Sequence, residues 1–245
     1  MAEATFRIVA WMACGDDLAA DSREIGFLRG TAPQLQGARA EAPRLPTLLR
    51  RRVSTIGQRA FESASGASGL ETARFVFSSR HGEFSRTLSL LETLARKEPL
   101  SPADFSLSVH NALIGLLSIA VKNEAGHTAM SGSADSFGFA LVEAAACLKA
   151  RPEEPICLIY GDEPLSGIYR ALGDPDETSL AVSLLLAPAS GEAGDITVGF
   201  EPAVQRGSAP AASRQALEFV RFLTSGRREG CAVGERMLWR WRHAA

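Results

Sequence analysis

The sequence predicts an α/β domain in which helices flank a layered, mixed β-sheet. Two observations support this fold class. Short apolar segments recur along the 245-residue chain, and segments with apolar residues at helical spacing separate most of them. A chain of this length can bury roughly 70–75% of the surface that it exposes when unfolded, so a core forms without disulfides or metal. We expect one domain over residues 1–245.

The first half of the chain alternates strand and helix patterns. Residues 6–13 are apolar and predict the first strand, whereas Gly, Pro, Asp and Gln interrupt residues 15–46, which predicts an irregular insertion. The following patterns predict a helix over 48–64, a strand over 73–78, helices over 83–97 and 106–122, and a strand over 128–133.

The helix after Asp135 has the clearest pattern in the chain. Asp135 or Ser136 can cap its N-terminus, and apolar residues repeat along one face from Phe137 to Leu148. The remaining predicted elements are strands over 155–161, 180–187 and 196–200, a helix over 213–224, and an edge strand over 237–242.

Composition excludes several classes of protein. The chain has 26 basic and 28 acidic residues and a formal charge of −2, so we expect no nucleic-acid partner. The cysteines lie far apart without a C-x-x-C pair, so we expect no metal and no cofactor; they are Cys14, Cys147, Cys157 and Cys231. No apolar run is long enough to span a membrane and no signal-peptide pattern is present, so we expect a cytoplasmic protein.

Residues 126–138 carry the pattern that is most typical of a site. They run from a predicted strand through a Ser- and Gly-rich turn into the helix after Asp135. Such a turn presents one side chain beside the free N–H groups of a helix start, which can bind an oxyanion. The presented residue can be Ser131, Ser133 or Ala134, and a purely structural turn capped by Asp135 explains the pattern equally well.

Residues 105–148 resemble the N-terminal half of a β-ketoacyl synthase. They are most similar to the short synthase-like proteins of aryl polyene and xanthomonadin-type pigment pathways. Segments 78–83, 155–164 and 239–241 match the same proteins in the same order. The resemblance implies a thiolase-like half-fold with a layered, mixed sheet.

In that resemblance, the position of the synthase cysteine falls on Ala134, with Ser133 as the alternative one residue earlier. A methyl group has no lone pair with which to attack a thioester. Active synthases also use two downstream histidines, and His243 is the only histidine after Ala134. The resemblance therefore implies that the chain has no catalytic residue of its own.

The resemblance also implies a partner. A catalytically inactive copy can act as a chain-length factor in a heterodimer with a full-length ketosynthase, and an acidic acyl carrier protein can dock on Arg50, Arg51 and Arg52 or on the Arg-rich C-terminus. The residues expected to line the tunnel or the interface are Asn111, His127, Ser131, Gly132, Ser133, Asp135, Phe137 and Gly138.

Two alternatives remain open. The first is a hydrolase or acyltransferase of acyl thioesters that uses Ser133 as nucleophile and His81 as base, although no third residue is visible to orient His81. A structural role for His81, in a turn after the second predicted strand, explains its position as well. The second alternative is a homodimeric binding protein that kept only the fold.

Overall fold

A computed structural model describes residues 2–18, 26–31, 38–39, 47–65, 67–191, 194–203 and 212–244. The strands are β1 (Ala2–Gly15), β2 (Gly26–Thr31), β3 (Ala38–Arg39), β4 (Arg74–Ser78), β5 (His127–Met130), β6 (Ile156–Asp162), β7 (Leu180–Pro188), β8 (Asp195–Pro202), β9 (Glu229–Val233) and β10 (Met237–His243). The α-helices are α1 (Thr47–Arg50), α2 (Thr55–Ala64), α3 (Phe84–Ala95), α4 (Pro102–Ser106), α5 (Ala112–Ala120), α6 (Ser136–Ala150) and α7 (Ala212–Ser225).

One mixed sheet connects the described strands, in the order β5-β4-β6-β7-β1-β8-β10-β9, with β2 and β3 attached beside β1. Strand β4 pairs in parallel with β5 and β6, and the other described pairings are antiparallel. Because parallel strands end at the same edge of a sheet, the residues that follow β4, β5 and β6 lie close together. The predicted layered, mixed sheet is confirmed.

Helices cover the sheet on two faces. On one face α6 and α7 pack over the strands. The buried aromatic residues in this layer include Phe137 of α6, Phe219 of α7 and Trp239 of β10. On the other face α2 and α5 bury Phe61 and Leu113 against the sheet. The strands between these layers are buried almost without interruption, as in β6, where all seven residues are buried.

Two predicted helices are interrupted in the structure. The prediction over 48–64 is divided into α1 and α2, because the Ser54 hydroxyl accepts a 3.1 Å hydrogen bond from the Gly57 N–H and caps a new helix there. The prediction over 106–122 is replaced by α4 and α5, with a turn between them. Neither break contains a glycine or a proline, so no helix-breaking residue marked them in the sequence.

Two further predictions need correction. Residues 15–46 were expected to be irregular, but their described part includes the end of β1, a short 3-10 helix over Asp16–Leu18, β2, which pairs with β1 from Ala10 to Gly15, and β3; residues 19–25, 32–37 and 40–46 lie outside the described residues. Residues 237–242 were expected to form an edge strand, but β9 pairs along the outer side of β10. Only Ala232 of β9 is buried, so this short strand has no apolar alternation to reveal it.

None of the described helices is long and apolar enough to cross a membrane.

Candidate functional site

The turn between β5 and α6, residues 131–135, lies at the sheet edge where β4, β5 and β6 end. We call it the elbow. Ser133 adopts a φ of 58°, in the left-handed region that non-glycine residues rarely occupy. Its side chain is half-buried, whereas Ala134 is only 1% exposed. The elbow therefore presents the hydroxyl of Ser133 and turns the methyl group of Ala134 inward.

Hydrogen bonds inside the elbow hold this conformation. The Ser136 hydroxyl accepts from the Gly132 N–H at 3.0 Å and donates to the Ser133 carbonyl oxygen at 2.6 Å. The Ser78 hydroxyl, at the end of β4, donates to the Ser136 carbonyl oxygen at 2.9 Å. Because Ser136 ties the turn on both sides, the strained backbone of Ser133 is supported by its neighbours.

The C-terminal hairpin, β9 and β10, packs against the elbow through Asp135. The buried carboxylate of Asp135 accepts the indole N–H of Trp239 at 2.7 Å and the backbone N–H of Arg236 at 2.8 Å. A Cβ atom at Gly234 would lie 1.7 Å from the same carboxylate, so only glycine fits there. Asp135 or Ser136 was predicted to cap α6; Asp135 occupies the N-cap position, but its side chain makes no cap hydrogen bond and anchors the hairpin instead.

Glu235 lies at the tip of this hairpin and is exposed. Hydrogen bonding from the Ser133 hydroxyl lowers the pKa of Glu235, and the Ala134 N–H and the positive charge of Arg236 add to the effect. The tip of the hairpin therefore lies beside the elbow, where the Arg236 N–H meets Asp135. No sequence pattern pointed to Glu235, because it lies 102 residues after Ser133 (235 − 133).

His81 lies at the same sheet edge, in the turn after β4, but its ring faces a different carboxylate. Its Nε2 is 3.7 Å from Oε2 of Glu177, whose side chain is fully buried. That distance is too long for a hydrogen bond, so the contact is electrostatic. The sequence analysis found no residue that could orient His81. The structure places Glu177 beside it, and the sequence did not reveal this because Glu177 is one of several acidic residues in a polar loop.

The structure does not bring Ser133 and His81 into a nucleophile–base pair. No hydrogen bond of the described residues joins them, and the imidazole faces Glu177. A serine nucleophile requires a base within hydrogen-bond reach. The arrangement therefore gives no geometric support to a Ser133–His81 enzyme.

Asp162 holds the turn that carries His81. Its buried carboxylate accepts the Ser79 hydroxyl at 2.8 Å and the backbone N–H groups of Arg80 and His81 at 2.8 and 3.0 Å. Burial raises the pKa of Asp162, and these hydrogen bonds oppose the shift. The acidic end of β6 is thus a structural anchor.

Three predicted interface residues lie together along the outer side of β5. Asn111, His127 and Ser131 line a shallow depression of about 460 Å³ with His110 and Met130. Strand β5 ends the sheet and has one pairing partner, β4, among the described strands. This edge is half-buried along its length and is open to a further strand.

Three other predicted tunnel or interface residues lie inside this chain. Phe137 is fully buried, and its ring centroid lies 5.5 Å from that of Tyr160 and 5.3 Å from that of Phe219. A Cβ atom at Gly138 would lie 2.4 Å from the ring of Trp239, and one at Gly132 would lie 2.7 Å from Phe139. These glycines allow aromatic rings of the same chain to approach closely, and the side chain of Asp135 is buried as well.

The one histidine that follows Ala134 in the sequence packs on an aromatic ring. His243, at the end of β10, stacks on Phe222 with ring centroids 4.6 Å apart. Burial lowers its pKa. Among the described residues, no three His, Cys, Asp or Glu side chains are grouped so that they could hold a metal ion.

The family of the beta-ketoacyl synthase N-terminal domain matches residues 29–242. The chain belongs to this family. The resemblance predicted from residues 105–148 is confirmed, and so is the thiolase-like fold of this synthase domain. A search of curated proteins found no match to the sequence.

Several solved structures are similar to this synthase domain, and three of them are ketosynthases, two of these with a chain length factor. A ketosynthase (ApeO) in complex with its chain length factor (ApeC) from Xenorhabdus doucetiae matches with a TM-score of 0.78 and 24% identity, over 97% of this chain and 99% of that chain. The ishigamide ketosynthase/chain length factor matches with a TM-score of 0.66 and 11% identity, over 98% of this chain and 99% of that chain. A beta-ketoacyl synthase from Burkholderia phymatum matches with a TM-score of 0.54 and 12% identity, over 91% of this chain and 71% of that chain. These similarities show a shared fold.

Proposed function

We propose that this chain is a non-catalytic subunit that pairs with an active β-ketoacyl-ACP synthase and acts as its chain-length factor in the elongation of polyene or fatty-acid-like acyl chains. The observation that carries the proposal is the elbow, which holds a half-buried serine, Ser133, and a buried alanine, Ala134, and offers no thiol. Two similar structures that cover nearly the whole chain are a ketosynthase in complex with its chain length factor and the ishigamide ketosynthase/chain length factor, which supports the same role.

The chemistry of the elbow supports the absence of catalysis. If Ala134 occupies the position of the synthase cysteine, its methyl group cannot form an acyl intermediate. If Ser133 occupies it, a base is missing: among the described residues no hydrogen bond joins its hydroxyl to a histidine, and His81 faces Glu177 instead.

The free edge of β5 supports pairing with a second subunit. An exposed sheet edge presents unpaired backbone N–H and C=O groups, on which a strand of another chain can add. The Gly126 and Met130 carbonyl oxygens accept hydrogen bonds from the N–H groups of Phe75 and Ser79 on the β4 side. Since backbone groups alternate along a strand, those of His127 and Ala129 point outward, towards the proposed partner.

A basic surface supports an acidic acyl carrier protein as a further partner. Arg50, Arg51 and Arg52 are exposed. Arg51 and Arg52 border a depression of about 400 Å³ beside α4, which Arg86 and its ion-pair partner Asp104 also line. Complementary charge steers the encounter of two proteins and depends on salt, so we assign carrier docking to this surface.

Replacement of Ala129 by proline tests the pairing edge. Ala129→Pro removes an outward N–H donor without removing a donor to β4, and Ala129→Ser is the matched control that keeps the N–H. Each variant is co-expressed with a full-length synthase and captured through a tag on the synthase. We expect the proline variant, folded by circular dichroism, to be lost from the complex while the serine variant is retained. Equal retention of both would overturn the proposed edge.

A further inference from the structure

We propose that strand β9 is a second docking surface of this chain, on which β9 of a second copy adds in antiparallel orientation about a two-fold axis at Cys231. The inference goes beyond the proposed function and is independent of it, because β9 and β5 are the two opposite ends of the sheet. A synthase on each β5 edge would give an assembly that still contains the two kinds of chain in a 1:1 ratio.

Strand β9 is an open edge of the sheet. It pairs with β10 and has no second partner among the described strands. Its side chains alternate: Ala232 is buried in the core with α7, whereas Glu229, Cys231 and Val233 are exposed, Val233 to 55%. An open edge presents a row of unpaired backbone N–H and C=O groups, on which another strand can add.

The hydrogen bonds to β10 show which backbone groups of β9 are free. The Arg228 carbonyl oxygen accepts from the His243 N–H at 3.1 Å, and the Gly234 N–H donates to the Met237 carbonyl oxygen at 2.8 Å. The backbone groups of successive residues point to opposite sides of a strand, so those of the even-numbered residues face β10. The N–H and C=O groups of the three odd-numbered residues of β9 therefore point outward, towards the added strand.

Opposite charges meet when the two-fold axis passes through Cys231. Arg227, just before β9, then lies opposite Glu235 of the second copy, and symmetry forms this pair twice; both residues are exposed. The outward backbone groups of Cys231 pair with those of the same residue in the second copy, and those of Glu229 pair with those of Val233. Opposite charges across an antiparallel pair stabilise it.

Neighbouring registers lose this complementarity. An axis one residue later sets Glu229 opposite Glu235 of the second copy, and like charges directly opposite each other destabilise a strand pair. An axis one residue earlier sets Arg227 opposite Val233, so no ion pair forms. The charges that flank β9 therefore select the second copy and its register together.

The thiol of Cys231 reports the register. Residues in a hydrogen-bonded antiparallel pair have Cα atoms about 5.5 Å apart, a separation that a disulfide can span. Oxidation of the Cys147→Ser variant with copper phenanthroline should cross-link two copies through Cys231, as non-reducing electrophoresis and peptide mass spectrometry will show. The matched control adds Cys231→Ser and Val233→Cys; its exposed thiols would lie about 14 Å apart and should not cross-link.

Charge reversal tests the ion pair in solution without an oxidant. Arg227→Glu or Glu235→Arg alone sets like charges opposite each other, so we expect the dimer dissociation constant, measured by analytical ultracentrifugation, to rise about tenfold. The double variant Arg227→Glu, Glu235→Arg restores opposite charges and should return the constant to within about threefold of the parent. An effect of either change on the fold alone would not be rescued by the other.

Three results would each overturn the proposal. The first is a chain that stays monomeric at about 100 µM, where even a small specific interface should form. The second is cross-linking of the Val233→Cys control to the same extent as Cys231, which would show random collision of exposed thiols. The third is a double variant that dissociates as readily as the single variants, because the charges would then not lie opposite each other.

Discussion

The indole N–H of Trp239 donates a 2.7 Å hydrogen bond to the carboxylate of Asp135, a residue 104 positions earlier in the chain. Both side chains are fully buried. A hydrogen bond to a buried carboxylate is strong, and its loss leaves a donor without a partner. This contact makes the last strand of the chain a structural part of the elbow.

Asp135→Asn should destabilise the fold. The amide keeps one acceptor and loses the other, so either Trp239 or the Arg236 N–H is left unsatisfied, at a cost of about 1–3 kcal/mol. Urea denaturation followed by tryptophan fluorescence measures the difference. Glu201→Gln is the control, since its 3.3 Å ion pair with Arg240 is on the surface and contributes less than about 1 kcal/mol. Equal effects of the two variants would contradict the assigned role of Asp135.

Gly138→Ala should also destabilise the fold. A Cβ atom there would lie 2.4 Å from the Trp239 ring, and forced overpacking costs about 1–3 kcal/mol. Gly115→Ala is a matched control on α5, where a Cβ atom meets nothing within 4 Å. It should stabilise by about 0.5–1 kcal/mol, because alanine favours a helix interior. Thermal denaturation of the pair checks both signs, and a neutral Gly138→Ala would disprove the close packing.

The Gly115 comparison shows which parts of the fold were predictable. The helix over α6 and the strand and turn before it follow from periodicity and from Ser and Gly, which act locally. Strand β9 was missed because it has one buried residue, Ala232. Gly115 and Gly138 look alike in sequence as small helical residues, and only the distant Trp239 makes one of them indispensable.

The site, like the fold, was predictable where the pattern is local and not where distant residues meet. The elbow and its presented serine were among the predicted candidates, because a strand-to-helix turn is a local pattern. Glu177 beside His81 and Glu235 beside Ser133 were not found, because each contact joins residues about one hundred positions apart. Acidic residues in polar loops are common, so such partners leave no trace in composition or spacing.

Tyr160 should make the fold sensitive to alkaline pH. Burial raises the pKa of Tyr160 well above its usual range, and the nearby charge of Asp162 adds to the shift. A group with a raised folded-state pKa stabilises the fold below its unfolded pKa, near 10 for tyrosine, and the contribution is lost as the pH rises above it, by up to about 1.4 kcal/mol per pH unit. Urea denaturation between pH 9 and 11 measures this slope.

Tyr160→Phe should reduce that slope, whereas Tyr169→Phe, at a half-buried position between β6 and β7, serves as the control. Buried thiols add a similar alkaline dependence to every variant, so the difference from the parent isolates Tyr160. Identical slopes for the parent and Tyr160→Phe would show that this phenol is not held in its neutral form.

The four cysteines should separate into two classes of reactivity. Burial raises the pKa of Cys14 and of Cys157 to about 12, and thiolates, not thiols, are alkylated. Cys231 is exposed on β9. A short pulse of iodoacetamide at pH 8 should modify Cys231 first and leave Cys14 and Cys157 intact until urea unfolds the chain, as peptide mass spectrometry will show. Early modification of Cys157 would contradict its place inside the sheet.

Native mass spectrometry of the chain co-expressed with a full-length ketosynthase tests the central claim most directly. The account predicts a 1:1 complex at micromolar concentration that forms acyl-elongation product only through the synthase cysteine, so that product disappears when that cysteine is replaced. Two separate species, or condensation of a malonyl thioester by this chain alone, would contradict it.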